Sequence, residues 1–229
     1  MWLSLLVLQL AVSDGRDPAT FTARVAIFQA RERERDQAAT PDRRAQATLD
    51  WLQALGQVLA AVPIERTDET VFRDWLGAHE ALVVYSEPAG EWLIRNDLVR
   101  QLHEEHRDAP AADEIAWLAA INGLPGECEG YIPCYVFILN HLDGEYLRQH
   151  PKGRHRDEAL RGIAETLMIA VDDLLKRPDS VSYLRIPEDC PDLTASLVPL
   201  RRAVAANLDD TAGEPLGLID RLALHCQGK

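Results

Sequence analysis

Residues 144–160 read GEYLRQHPKGRHRDEAL, and they are the clearest indication of fold in the chain. An amphipathic run ends at Pro151 and Gly153, and a second amphipathic run begins immediately after them. Proline cannot continue a helix, and glycine adopts the left-handed backbone angles that often close one. The pattern therefore predicts two helices joined by a tight turn.

Apolar residues recur at helical spacing along nearly the whole chain, which predicts an all-α fold. We expect one domain over residues 14–229, with 179–192 as an internal connecting segment. Residues 82–94 fit either a helix break or a small hairpin, and we favour the break because an isolated hairpin is weak. Phe21, Val25 and Phe28 fall on one helical stripe before a charged tail at 31–36. The further expected helices cover about 41–62, 68–82, 92–107, 111–121, 135–150, 154–176, 193–208 and 216–226.

An internal repeat is indicated when the chain is shifted by 44 positions against itself. The matched positions are the apolar stripe of one helix, the turn after it and the start of the next helix, as a stack of helix pairs requires. Chance alignment of two amphipathic helices is the alternative. The matched pairs are Ile94 with Ile138, Asn96 with Asn140, Leu98 with Leu142, His106 with His150, Asp113 with Asp157, Glu114 with Glu158, and Ala120 with Ala164.

The segment 144–160 also resembles the inter-helix turn of tetratricopeptide-like repeats in bacterial cell-envelope proteins. Those turns often contain a tyrosine, then Pro-x-Gly, then a Glu-Ala pair, which here are Tyr146, 151–153 and 158–159. The resemblance implies stacked antiparallel helix pairs, as a tetratricopeptide-like α-solenoid or an irregular helical bundle. It also implies that the protein binds other proteins, and it includes no catalytic group.

The charge of the chain bears on its partners. There are 24 basic and 37 acidic residues, which give a net charge of −13. Such a field repels a phosphate backbone, so nucleic acid is not an expected partner. A basic protein or a cation is electrostatically better, although the same charge also serves simply to keep the surface soluble.

Residues 1–13 are apolar and uncharged, and small residues at Ala11 and Ser13 fit a signal-peptidase site with Asp14 as the mature start. The segment resembles a secretory signal peptide, which predicts export to the periplasm or the extracellular space. No Lys or Arg precedes the apolar run, so the n-region is atypical, and a buried first helix is the alternative. No later run reaches the 18 or so apolar residues of a membrane span.

Four cysteines allow three disulfide pairings. An even number in an exported chain indicates disulfides. We favour the local pair Cys128–Cys134 together with Cys190–Cys226. Neither pair has the CxxC spacing usual for a zinc site. Free buried thiols in a cytosolic protein are the alternative.

The strongest metal-like motif is His103-Glu104-Glu105-His106. Zinc proteases use His-Glu-x-x-His, which is one residue longer, so we favour a solvated helix surface for both histidines. The chain also has no Gly-x-Ser-x-Gly elbow, dinucleotide fingerprint or P-loop. We therefore expect no catalytic residue, no cofactor and no metal.

The candidate contact residues are Glu127, Glu129 and Tyr131 in the cysteine-bounded loop, and Trp92. A disulfide would stiffen that loop, and an aromatic residue offers an apolar anchor for a partner. We expect an exported, non-enzymatic helical binding or scaffold protein. An all-α hydrolase with a polar cleft, and an acidic inhibitor or immunity-type protein for a basic enzyme, are the alternatives.

Overall fold

A computed structural model describes residues 17–87, 89–176, 183–184, 188–208 and 213–227. The expected signal peptide at 1–13 and half of the expected connecting segment at 179–192, residues 179–182 and 185–187, lie outside these residues. Within them the fold is mainly helical, in agreement with the all-α expectation, and no helix is long and apolar enough to cross a membrane.

The chain begins with a pair of long helices, α1 (Pro18–Asp36) and α2 (Pro41–Leu59), which pack against each other. Each starts at a proline that follows a capping residue. The Asp17 carboxylate accepts hydrogen bonds from the N–H groups of residues 19 and 20, and the Thr40 hydroxyl accepts one from residue 43. Caps and N-terminal prolines of this kind fix where a helix begins.

A 3₁₀ turn (Ile64–Arg66) and helix α3 (Thr70–Ala78) lead to a two-stranded antiparallel hairpin, β1 (Val83–Ser86) and β2 (Glu91–Ile94). The expected helix break was therefore wrong. The hairpin is not isolated, because the Asn122 side chain bonds both the N–H and the C=O of Ile94. Gly90, with φ of 61°, lies in the turn.

Helices α4 (Asn96–His106) and α5 (Ala112–Ile121) follow the hairpin, so the helix expected from residue 92 starts later. The single helix expected over 135–150 is two helices, α6 (Ile132–His141) and α7 (Asp143–Gln149), because Leu142 leaves helical angles with ψ of −94°. The remaining helices are α8 (Arg156–Lys176), α9 (Cys190–Asn207) and α10 (Glu214–Cys226). The turn expected at 150–155 is confirmed between α7 and α8.

The buried residues form two apolar clusters. The N-terminal core runs from Phe21 to Ile115 and gathers residues of α1–α5 and the hairpin. The C-terminal core runs from Ala116 to Leu222 and gathers residues of α5–α10. Helix α5 is the shared wall, since Ile115 belongs to the first core and Ala116 to the second.

Candidate functional site

The structure pairs Cys128 with Cys134 and Cys190 with Cys226, at S–S distances of 2.06 and 2.03 Å. This is the pairing favoured from the sequence. The first bridge closes the loop before α6, and the second joins the start of α9 to the end of α10. No described cysteine is free.

The Cys128–Cys134 loop is held at several points. Glu129 has φ of 46°, which is uncommon for a residue other than glycine. The Tyr183 N–H donates to the Gly130 carbonyl at 2.8 Å, and the Ile132 N–H donates to the Tyr183 carbonyl at 3.2 Å. The disulfide and these hydrogen bonds together hold the loop in one conformation.

The predicted contact residues fall into two places. Glu127 and Glu129 are exposed on the loop, and neither forms an ion pair among the described residues. Tyr131 is half-buried, and its ring centroid lies 5.4 Å from that of the exposed Tyr183. Trp92 instead lies on β2 and packs against the N-terminal core, so it does not belong to the loop surface.

Trp92 lines a cavity of about 200 Å³ between α2 and the hairpin, together with Gly56, Ile64 and Asn122. Its indole N–H is buried and has no hydrogen-bond partner among the described residues. Its ring lies 5.3 Å from that of Tyr85. The residue is therefore part of the packing that holds the hairpin on α2.

The expected solvated surface at His103 and His106 was wrong for His103, whose residue surface is only 4% exposed. The buried residues of α4 are Asn96, Val99 and His103, so His103 lies on the face of the helix that points inward. Its Nε2 lies 2.9 Å from the Nε2 of His150, the residue that follows α7. His106 is half-exposed and contacts the Thr48 hydroxyl at 3.2 Å, so the two histidines face different neighbours.

These contacts belong to a row of polar interactions that we call the polar seam. It joins α4 and α5 on one side to α7 and the following turn on the other. Arg100 donates to both Glu145 oxygens, at 2.7 and 2.8 Å. The other members are the His103–His150 contact and the contacts of Asp113 and Glu114 described next.

Asp113 of α5 is the centre of the second part of the seam. One of its oxygens accepts the Tyr146 hydroxyl proton at 2.6 Å, and the other accepts the Arg154 N–H at 2.9 Å. The His155 N–H in turn donates to the Tyr146 oxygen at 3.0 Å. A carboxylate and a buried tyrosine thus fix the turn between α7 and α8.

Gly153 explains why the turn contains Pro-x-Gly. A Cβ atom at this position would lie 2.7 Å from the Asp113 carboxylate and 2.9 Å from the His150 Cβ, and it would collide with the Tyr146 hydroxyl. The turn can approach Asp113 this closely only without a side chain at residue 153.

The polar seam lowers the pKa of one of its ionisable groups, Asp113, and raises the pKa of another, His155. Burial opposes charge on Asp113, but the hydrogen bonds from Arg154 and Tyr146 outweigh it and lower the pKa of the carboxyl group. Burial also opposes charge on His155, but Glu158 and Glu114, at 2.7 and 3.0 Å from its two ring nitrogens, raise its pKa. The His155 ring also stacks on Trp117 at 4.7 Å.

Outside the seam, Asp143 lies in the first turn of α7 with its carboxyl oxygens about 3.6 Å from where a Cβ of Gly162 would stand. Burial raises the pKa of this carboxyl group to about 7. No described basic side chain pairs with it. Nothing in the sequence predicts the raised pKa, because the burial of Asp143 depends on the approach of α8.

Two further cavities are lined by described residues. A cavity of about 610 Å³ between α1, α2 and α4 contains the Thr48–His106 contact, but Thr48 is only 1% exposed, so its hydroxyl is a structural hydrogen-bonding group. A second cavity, of about 450 Å³, lies beside β1 and the start of α4. No group of three or more His, Cys, Asp or Glu side chains among the described residues is arranged to hold a metal ion.

Comparison of the chain with known protein families, with curated proteins and with solved structures finds no match.

Proposed function

We propose that the protein is an exported, non-enzymatic helical binding protein, and that the Cys128–Cys134 loop with the adjacent Tyr183 is its contact surface. One observation carries the proposal. The loop holds two exposed carboxylates, Glu127 and Glu129, without an ion-pair partner among the described residues, on a backbone fixed by a disulfide and a strand-like bridge.

The charge of the loop favours a basic partner. A chain of net charge −13 attracts a cationic protein from a distance, and such steering raises the association rate. The fixed loop loses little conformational entropy on binding, and the Tyr131–Tyr183 pair adds aromatic area beside the acids. A partner surface with Lys or Arg around an apolar patch fits these features.

Export is part of the proposal. Two disulfides suit an oxidising compartment, and the apolar stretch at 1–13 fits a signal peptide. The protein would then meet its partner in the periplasm or outside the cell.

We also propose that α4–α5 and α7–α8 are two copies of one tetratricopeptide-like helix pair. The 44-residue shift places α4 on α7 and α5 on the start of α8, and α7 packs against both α5 and α8. Helix α6 and the disulfide loop then form an insertion between the two pairs. This arrangement supports a scaffold, because the inserted loop projects from a repeated frame.

An acidic inhibitor of a basic enzyme is the second candidate, and the same unpaired carboxylates favour it. It differs from a scaffold in affinity and in the effect on the partner. An inhibitor binds tightly and abolishes the activity of a cationic enzyme, whereas a scaffold leaves the partner active.

The test compares immobilised full-length protein with two double variants, using the exported proteins of the native host as the probe. Glu127→Lys/Glu129→Lys reverses the loop charge. Glu80→Lys/Glu165→Lys is the control, because it makes the same change in charge at two exposed residues elsewhere. We expect the wild type and the control to retain a basic protein that about 0.5 M salt releases, and the loop variant to retain at least tenfold less.

Retention of the same protein by the loop variant would place the contact surface elsewhere. Retention of no basic protein by the wild type would remove the proposal altogether.

A further inference from the structure

The contact between His103 and His150 restricts how many protons the two rings carry. Their Nε2 atoms are 2.9 Å apart, so one nitrogen donates its proton to the lone pair of the other. If both rings were protonated, each nitrogen would carry a proton and two positive charges would face each other at this distance. The contact therefore exists only while at least one ring is neutral.

The surroundings give a doubly charged pair little relief. His103 is almost fully buried, and the adjoining cavity of about 10 Å³ holds no more than about one water molecule. His150 is half-buried, so solvent reaches the pair only from its side, and the repulsion acts on α4 and on the end of α7.

Charged groups on four neighbouring elements face the pair or its cavity. Glu104 lies 4.0 Å from the Nδ1 of His103, but it is largely exposed. Glu145 is paired with Arg100, and Asp113 accepts bonds from Tyr146 and Arg154. Both carboxylates favour a charged ring, but less than burial disfavours it. The full set is Arg100 and Glu104 on α4, Asp113 on α5, His141 on α6, and Glu145 and Tyr146 on α7.

We propose that mild acid breaks the His103–His150 contact and loosens the junction of α4 with α7, which the Arg100–Glu145 ion pair then holds without it. Helix α5 stays attached to the α7–α8 turn, because Glu114 and the protonated His155 remain paired in acid. The loosening gives solvent more access to the small apolar residues Ala116, Ala119 and Ala120 that line the cavity between the helices. The protein thus has an acid-responsive surface apart from the disulfide loop, and this inference does not depend on the proposed function.

The direction of the pH dependence follows from burial. Burial lowers the pKa of both His103 and His150 from the usual 6.5, and for His103 the neighbouring His150 adds to the effect. The contact therefore contributes its full stability above about pH 6.5 and loses it as the pH falls through the lowered pKa values.

The experiment is an NMR titration of the disulfide-intact full chain, combined with amide hydrogen exchange at pH 7.5 and pH 5 after correction for intrinsic rates. We expect His103 and His150 to titrate below 6.5, and the amides of α4 to lose at least tenfold more protection than those of α2. Titration of both rings at or above 6.5, or equal loss in the two helices, would overturn the proposal.

His150→Gln tests the trigger, since a glutamine amide still reaches His103 but takes no proton. In this variant the protection of α4 no longer depends on pH in this range. His225→Gln on α10 is the control, and it keeps the acid response of the wild type. An acid response that persists unchanged in His150→Gln would show that another group drives it.

Discussion

The two cores of the molecule are stabilised in different ways. The N-terminal core is rich in aromatic rings, with Phe21, Phe28, Trp51, Phe72 and Trp75 in contact with one another, and residues 17–115 contain no cysteine. The C-terminal core is mostly aliphatic, and all four cysteines lie beside it. The comparison suggests that cross-links compensate for a core with fewer large side chains.

The two halves also differ in the lengths of their connections. In the N-terminal half, α1 and α2 are long and follow each other after four residues, so their contacts are local. In the C-terminal half, α8 and α9 are separated by residues 177–189, and α7 has only seven residues. Neither disulfide spans the 177–189 connection. The Cys190–Cys226 bridge ties the start of α9 to the end of α10, and it reduces the entropy of that loop in the unfolded chain.

The largest effect is expected from Phe28→Ala, which removes a fully buried ring that contacts Trp51 and Trp75. We expect the free energy of unfolding to fall by about 3–5 kcal/mol. Hydrogen exchange should increase in α2 before it increases in α9. Ile27→Ala is the control, because Ile27 is 48% exposed, and it should change the free energy by less than about 1 kcal/mol. Equal exposure of α2 and α9 would mean that the cores unfold as one unit.

The corresponding test in the C-terminal core removes its longer-range disulfide. Cys190→Ser/Cys226→Ser opens a bridge between residues 36 positions apart, and we expect a loss of about 3–4 kcal/mol in chemical denaturation. Cys128→Ser/Cys134→Ser is the matched comparison, since its six-residue separation predicts a loss of only about 2 kcal/mol. If the shorter bridge had the larger effect, chain entropy would not explain the stabilisation.

The contact between the cores is tested by Tyr146→Phe. This change removes the hydroxyl that donates to Asp113 and accepts from His155, and we expect a loss of about 2 kcal/mol because a half-buried carboxylate loses a donor. Thermal unfolding should also become less cooperative. Tyr85→Phe, at an exposed residue of the hairpin, should leave both quantities unchanged.

The smallest effect is a pH dependence within the C-terminal core. The pKa of Asp143 is raised to about 7, so its contribution to stability is full below about pH 4 and is lost as the pH rises to about 7. Asp143→Asn should therefore stabilise the protein at pH 8, where the wild-type carboxylate is buried and charged, and should have little effect at pH 4. The exposed Asp192→Asn should show no such difference in denaturation at the two pH values.

Local signals predicted much of this structure. Pro41 opens α2, Pro151 and Gly153 form the turn between α7 and α8, and the favoured cysteine pairing is the one in the structure. Each depends on residues close in sequence or on a small number of choices. The mainly helical fold followed from the same spacing.

The features that were missed depend on contacts between distant residues. The hairpin is anchored by Asn122, 28 residues away, whose side chain bonds the backbone of Ile94. His103 is buried because the inward face of α4 follows Asn96 and Val99 rather than Leu98 and Leu102. His150 and Asp143 owe their surroundings to the approach of α4 and α8, which no local pattern encodes.

The Cys190–Cys226 bridge also affects how the protein responds to proteases. It makes a covalent ring of residues 190–226, so a single backbone cut inside that ring leaves the two pieces attached to each other. The cut chain would run at its full mass on a gel until the sample is reduced. In a compartment rich in proteases, a nick there would leave the chain in one covalent piece.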